Sequence, residues 1–474
     1  MILLTTVIGR LDGYFDATFI IDSAKHTGKL PCEAIYKFFS SSGEDTYLLI
    51  FVPESLAINL SDDSSQLENL LRCPEKIKKQ FHQKLEALVP LIDKNSLNIV
   101  LTPSQGEYKN RNKTVTAIFD NSVTNISSFM FSQLLLFLEK MEEKTIIIDI
   151  STGQNLYVTS LLEAARGVLV YEKLNSIAQS NENIYANIAY VPPITSENQE
   201  IRIEFHPYDV KAFFELPIKE KNINLNHLIQ LSYTDQHKYS EEVRKIYGKL
   251  KKLKMHLTTG RLAYNAIKYN IPLFLFHEKM SVKLARFEEI KNFPIYLYDV
   301  INAIEKEHKC VQKYNETISV IRNYRINKDL FLNIHFHLAL LNSIYNFWKE
   351  KIEGRPPTLE YIRQTFLEVY GKLRLGLNSK FLERDCNEIS MLVNNYKGNL
   401  TSTKLLEEIK GELRDQRPKP FEGMLSDRKR NFFAHSGFLF NITEVSKNNG
   451  DILLSYNNDS YEREIEIWMD NPEG

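Results

Sequence analysis

Hydrophobic positions in the first two hundred residues follow two alternating textures. Short β-rich runs occur at Ile2–Ile8, Ala17–Ile21, Tyr47–Val52, Asn98–Thr102, Thr145–Ile150, Asn183–Val191 and Glu200–Phe205. Between several of them apolar residues recur at helical spacing, over Cys32–Phe39, Gln66–Leu91, Ser127–Met141 and Leu156–Leu169. Strand and helix taking turns predicts an α/β layer fold with a largely parallel sheet. The run Thr145–Ile150 is nearly all β-branched, the pattern of a central strand buried on both faces.

The texture changes after Pro207. From about Leu225 to Asn327 the chain reads as mostly helical and heavily charged, with Glu241–Leu257 as an example. From Asp329 it stays helical. Pro356-Pro357 interrupts it, and Thr358 is placed to cap the next helix. Beyond Gly437 two strand-like runs, Phe438–Val445 and Ile452–Tyr456, flank Asn448-Asn449-Gly450, which predicts a β-hairpin. The expected architecture is multidomain, α/β plus α. Residues 1–207 form a Rossmann-like domain, 208–328 a helical connector, and 329–474 an all-α domain with a terminal β-hairpin.

Composition narrows the possibilities. A chain of 474 residues exceeds one ordinary core. Its 59 basic and 60 acidic side chains leave a formal charge of −1. A protein that merely coats nucleic acid carries a basic excess, so contact with RNA has to come from local patches. The four cysteines, Cys32, Cys73, Cys310 and Cys386, are far apart and form no CxxC pair. That argues against a zinc site and a disulfide framework, and for a reducing, intracellular setting. No apolar run is long enough to span a bilayer. Met1–Leu4 lacks a basic flank and reads as a first strand rather than a signal peptide. A cytoplasmic protein without membrane contact is expected.

Candidate chemistry concentrates at Leu425–Gly437. Ser426 or Asp427 can start a short helix and Gly437 can stop it in the left-handed conformation. Asn431 and His435, four apart, then share a face, and Arg430 is adjacent with a side chain long enough to reach the same cleft. This set suits RNA cleavage without a metal, in which the 2′-hydroxyl attacks its own phosphate. Histidine can take or give the proton, arginine can brace the extra charge on phosphorus, and asparagine can position a phosphate oxygen or the imidazole. Arg-x4-His alone is a weak signal. Asparagine directly after the arginine, the helical context and the glycine stop sharpen it.

A second candidate follows the strand Thr145–Ile150. Open α/β sheets bind ligands beyond the carboxyl ends of their strands. Ser151, Thr152, Gly153, Gln154 and Asn155 occupy that place before a helix. Gly153 permits a tight turn, the following amides suit phosphate, and the two carboxamides can read an adenine edge or hold ribose. The loop Gly9-Arg10-Leu11-Asp12-Gly13-Tyr14 should open on the same side. Gly9, Arg10 and Asp12 are candidates there, with Arg10 as a phosphate contact. Thr102, Ser104 and Gln105 are expected on the rim.

Arg430-Asn431-x-x-Ala434-His435, late in a helical domain, resembles the active-site motif of HEPN ribonucleases. Asp149–Asn155, directly after a buried strand, resembles the fourth-strand ligand motif of CARF domains. In this order they resemble the CARF–HEPN ancillary ribonucleases of type III CRISPR systems over nearly the whole chain. The resemblance implies a homodimer or higher oligomer, activated by a cyclic oligoadenylate, with cyclic tetra-adenylate expected first. It implies metal-independent endonucleolytic cutting of single-stranded RNA in antiviral defence, leaving a 2′,3′-cyclic phosphate. It also implies an active site shared by two HEPN domains. No catalytic cofactor is expected. Family members often carry a histidine near the start of the ligand motif, where this chain has Ser151-Thr152. That bears on the ligand contacts and on any cleavage of the ligand by the sensor.

The rival reading is a nucleotide-sensing transcription regulator whose helical connector binds DNA, for which the Arg-Asn-x-x-Ala-His helix would be superfluous. Two basic stretches could guide nucleic acid: Lys245, Lys249, Lys251, Lys252 and Lys254, and Arg414, Arg417, Lys419, Arg428 and Lys429. His335 and His337, in an apolar helix, read as structural rather than as metal ligands.

Overall fold

The structure, a computed structural model, describes the chain except residues 11, 13, 142–143, 180–183, 220–223, 232–240, 291–292, 414–424, 459–460 and 474. The N-terminal part runs β1 (Ile2–Val7), β2 (Ala17–Ile21), β3 (Ala24–Gly28), α1 (Pro31–Ser41), β4 (Thr46–Pro53), α2 (Ser64–Arg72), α3 (Pro74–Leu88) and β5 (Leu97–Thr102). It continues through β6 (Gly106–Lys109), β7 (Thr116–Asp120), α4 (Val123–Leu138), β8 (Lys144–Asp149), α5 (Asn155–Asn175), β9 (Ile184–Tyr190), β10 (Gln199–Arg202) and β11 (Glu204–Pro207).

Strands β9, β8, β1, β4 and β5 lie parallel in that order, and β11 closes the β9 edge antiparallel. Successive side chains on a strand face opposite sides, so a sheet covered by helices on both faces needs apolar residues at every position. Leu3, Val7, Phe51, Ile146 and Ile148 join the core under α4 and α5, whereas Ile2, Leu4, Ile50, Val52 and Ile147 pack with α1, α2 and α3.

Several expectations need correction. Gln66–Leu91 is two helices, because Pro74 cannot continue the first and instead opens the second. Ala17–Ile21 is a strand outside the parallel sheet: β2 pairs antiparallel with β3 and parallel with β10 in a separate three-stranded sheet. Glu200–Phe205 divides at Ile203 into β10 and β11, which serve different sheets.

The remainder comprises β12 (Ile229–Leu231), α6 (Glu241–Lys268), α7 (Glu278–Ala285), α8 (Phe293–His308), β13 (Lys309–Tyr314), β14 (Thr317–Arg322), β15 (Tyr324–Ile326) and α9 (Lys328–Lys351). Then come α10 (Leu359–Lys372), α11 (Gly376–Asn395), β16 (Lys404–Leu405), α12 (Leu406–Leu413), α13 (Leu425–Ala434), β17 (Thr443–Asn448), β18 (Asp451–Tyr456) and α14 (Glu466–Asp470). The connector is thus less helical than its charge pattern predicts. Its hairpin β13–β14 turns at left-handed Asn315, and β14 pairs parallel with β7, stitching connector to sensor.

Charge reinforces this seam. Arg322 of β14, fully buried, donates to Glu305 of α8 at 2.7–3.1 Å and makes a 2.6 Å ion contact with Glu54, just after β4. Lys309 Nζ reaches Glu54 at 2.9 Å. Burial would raise the Glu54 pKa, but Arg322 and Lys309 outweigh it and hold the carboxyl near 2.

Helix α5 packs against α9. Lys328 pairs with Glu163, Asn342 donates to Asn175 at 2.6 Å, and the Ala178 amide donates to Ser343 Oγ at 2.9 Å. One apolar core runs from the α4–α5 face through α6, α8 and α9 to Phe432 of α13. Thr358 caps α10 by accepting from the Tyr361 amide at 3.2 Å, and the terminal hairpin turns at left-handed Asn449-Gly450, both as expected. The first of its strands begins only at Thr443. All four cysteines are free. Among the described residues no helix is long and apolar enough to cross a membrane.

Candidate functional site

Topology creates the first site. From β1 the chain moves to β4 and β5 on one side, then returns to β8 and β9 on the other. The loops after β1 and β8 therefore flank the point where strand order reverses, where such sheets form a crevice. They come close there: a Cβ on Gly9 would sit 3.5 Å from the nitrogen and Cα of Gly153. Gly153 has φ +94°, and a Cβ on it would lie 3.0 Å from the Val7 carbonyl oxygen, so only glycine fits without strain.

The loop is pinned from below. Thr152 Oγ1 donates to the Val7 carbonyl at 2.7 Å, and Asp149 Oδ1 accepts from the Ser151 amide at 3.0 Å and from its hydroxyl. Asp149 is buried, which raises its pKa against the lowering effect of the Ser151 and Thr6 contacts. Gln154, Asn155 and Gly153 are exposed above, and the Gln154 side chain does not cap the first amides of α5. Those amides face the crevice with the partial positive charge of a helix start.

Gln105 belongs to the same cluster. Its amide donates to Tyr157 Oη at 3.4 Å, and its carbonyl accepts from Tyr108 Oη at 2.8 Å. Tyr108 Oη also lies 3.2 Å from Gln154 Oε1. Arg10 and Asp12 are exposed on the adjoining loop. Thr102 is a correction: it is fully buried with an unpartnered hydroxyl, so it supports the rim from beneath. Ser104 is also buried and accepts from the Ser55 amide. Tyr108 and Tyr157 escape the sequence reading, since one lies on an unforeseen strand and the other inside an ordinary apolar helix.

The second site lies on α13. Asn431 and His435 share a face, as their spacing requires, and line a cleft of about 350 Å³ with Arg428, Lys410, Glu388 and Phe440. The helix ends at Ala434. Ser436 and Gly437 both adopt left-handed φ, and the Gly437 amide returns to the Phe432 carbonyl at 2.9 Å. His435 is half-exposed, with Nδ1 3.8 Å from Oδ1 of buried Asp385 on α11. Arg430 departs from expectation: it is exposed and is not among the residues that line the cleft. Arg428, a candidate for attracting RNA, pairs with Glu464 at 2.7 Å. Arg414, Arg417, Lys419 and the side chains of Lys245, Lys249, Lys251 and Lys252 lie outside the described residues.

Asp385 and its neighbour Arg384 also escape the sequence reading. They lie some fifty residues before His435 on a different helix, and no local spacing links them. His335 and His337 are structural. Both are fully buried, their rings meet the carbonyls of Phe331 (2.8 Å) and Leu257 (3.1 Å), and desolvation lowers both pKa values to about 4. Among the described residues no three histidine, cysteine, aspartate or glutamate side chains converge as a metal site would require.

A crevice at the switch point of an α/β domain, joined to a helical domain with an Asn-His face, defines a ligand-sensing nuclease. Residues 3–191 match the family described as CRISPR system endoribonuclease Csx1, CARF domain, and residues 375–458 match CRISPR system endoribonuclease Csx1, HEPN domain. The chain belongs to the Csx1 endoribonucleases, ancillary nucleases of type III CRISPR systems, with an N-terminal nucleotide-ligand sensor and a C-terminal HEPN nuclease domain. A search of curated proteins finds no match to the chain.

Proposed function

We propose that the chain is a cyclic-oligoadenylate-activated, metal-independent endoribonuclease that cuts single-stranded RNA in antiviral defence. The activator, cyclic tetra-adenylate in the first instance, binds at the crevice of Gly9, Arg10, Asp12, Gln105 and Ser151–Asn155. Sensor, connector and nuclease correspond to residues 1–207, 208–328 and 329–474. His435 moves a proton as the 2′-hydroxyl attacks its own phosphate, giving a 2′,3′-cyclic phosphate. Asn431 positions the phosphate, and Arg430 neutralises its developing charge. The enzyme acts in the cytoplasm.

The placement of Arg430 carries this reading. Asn431 and His435 line one cleft while Arg430, exposed beside them, is not among its lining residues. One copy therefore presents an incomplete set, which supports a site completed by a second copy across a two-fold axis. A symmetric cyclic ligand suits the same axis at the sensor. Binding then shifts an equilibrium between a poor and a competent arrangement of the nuclease pair.

The test is cleavage of single-stranded RNA in EDTA, with and without cyclic tetra-adenylate. Ligand-dependent cutting is expected, with His435→Ala and Arg430→Ala each inactive yet still binding ligand. Cutting that stops only when metal is removed would sink the proposal. A mixture of the two inactive variants tests the shared site, since one competent pairing should be restored in mixed dimers.

A further inference from the structure

We infer that Asp385 is a positioning residue for His435, held by Ser436 and through it by Asn270, so that the connector reaches the active site through two hydrogen bonds and the 3.8 Å approach of Asp385 to the imidazole. The inference rests on His435 acting on RNA, as proposed above. Asp385 is 3% exposed, and a carboxylate buried that deeply needs partners. Its Oδ2 accepts from Ser436 Oγ at 2.7 Å. Its Oδ1 accepts from Arg384 Nε and Nη2 at 2.9 and 2.8 Å, and faces His435 Nδ1 at 3.8 Å. Ser436 Oγ in turn accepts from Asn270 Nδ2 at 2.7 Å. The line therefore runs Asn270, Ser436, Asp385, His435.

Two features separate this from an incidental buried cluster. First, both turn residues are fixed in left-handed backbone, with φ of 61° at Asn270, which asparagine tolerates at a helix end, and 52° at Ser436, which a serine rarely adopts. Second, the line aims one imidazole nitrogen. With Nδ1 turned to Asp385, Nε2 is the nitrogen left to meet RNA, and the partner of one ring nitrogen decides the role of the other. Hydrogen bonds of this kind are often long in unliganded enzymes and close when substrate arrives.

Asn270 follows α6, and its neighbours dock on the same helix end. Tyr269 meets the Phe433 ring edge-on at 5.7 Å, and a Cβ on Gly437 would fall 2.7 Å from Ile271. Three successive connector residues thus grip the carboxyl end of α13.

The experiment is steady-state cleavage of a fluorescent single-stranded RNA by the full chain, with cyclic tri-, tetra- and hexa-adenylate each supplied. Asp385→Asn keeps the shape and removes the charge. Its kcat should fall at least about tenfold, a part of the roughly 10²–10⁴ that a positioned acid–base group contributes. KM should be unchanged, and so should the melting temperature. Ser436→Gly and Asn270→Gly delete the relay groups where glycine suits the backbone, and should lower kcat by smaller factors in the same sense. Wild-type kcat in Asp385→Asn beside an inactive His435→Ala overturns this inference alone. Activity retained in His435→Ala overturns the active-site reading beneath it. If Asp385→Asn fails to fold, unchanged kcat in both glycine variants overturns the inference instead.

Discussion

Gly153 shows how much of the sensor depends on one missing methyl group. Its left-handed φ and the 3.0 Å approach of the Val7 carbonyl leave no room for a side chain. Gly153→Ala should therefore displace the loop rather than fill a gap. The expected outcome is at least a tenfold loss of cyclic tetra-adenylate affinity by calorimetry, with His435 chemistry intact once ligand saturates. Wild-type affinity would mean that the loop does not shape the crevice. Both Gly153 and the Asn431–His435 pair were legible in the sequence, because a turn after a buried strand and a four-residue helical spacing are local signals. Asp385, Tyr108 and Tyr157 were not, because their roles exist only where distant segments meet. Thr102 misled: a polar residue at a strand end reads as rim, and only burial shows it to be beneath.

Helices α6 and α9 cross at Gly260, where a Cβ would lie 2.9 Å from His337 Nε2 and 3.3 Å from Leu341. The ring is fully buried and bonded to the Leu257 carbonyl, so it cannot yield. Gly260→Ala should destabilise the fold by about 1–3 kcal/mol despite alanine's higher helix propensity, the usual cost of overpacking. Denaturant melts of the two proteins check this. The same helix sets a pH response. His335 and His337 titrate near 4 when folded, mainly through desolvation, against 6.5 unfolded. Above 6.5 neither state binds the protons. Between 6.5 and 4 only the unfolded chain does, so stability falls as pH falls through that window. The melting temperature should drop accordingly, and His337→Gln should flatten the slope. Elements buried on both faces, such as β4 and β8, announce themselves by apolar runs, Leu48–Val52 and Ile146–Ile148. The β13–β14 hairpin did not, because two of the three charged side chains on its strands, Lys309 and Arg322, turn inward to the ionic seam and break the apolar alternation that would mark them.

Over the whole molecule, the seam between sensor and connector is ionic at its centre. Arg322→Leu would leave Glu54 buried without its main counter-charge and should cost about 3–5 kcal/mol, whereas Arg322→Leu with Glu54→Leu should recover most of it. A single variant as stable as the wild type by chemical denaturation would show that the pair is not strained by burial. Acid acts on the same seam. Glu54 titrates near 2 folded against 4.5 unfolded, so its contribution is present above 4.5 and is lost as pH falls toward 2. None of this was legible from the balanced charge of the chain, since the count of charges says nothing of which ones meet in the interior.

The pairing of α5 with α9 has a consequence for anyone who would recombine these parts. One flank of α5 completes the sensor while the other is the floor on which α9 rests, through Glu163, Asn175 and the turn at Ala178. A graft that swaps the sensor of one such enzyme for another at a linker near residue 207 would separate two surfaces made for each other. Functional chimaeras should arise only when both helices come from the same parent, and the two should change together wherever the lineage has diversified.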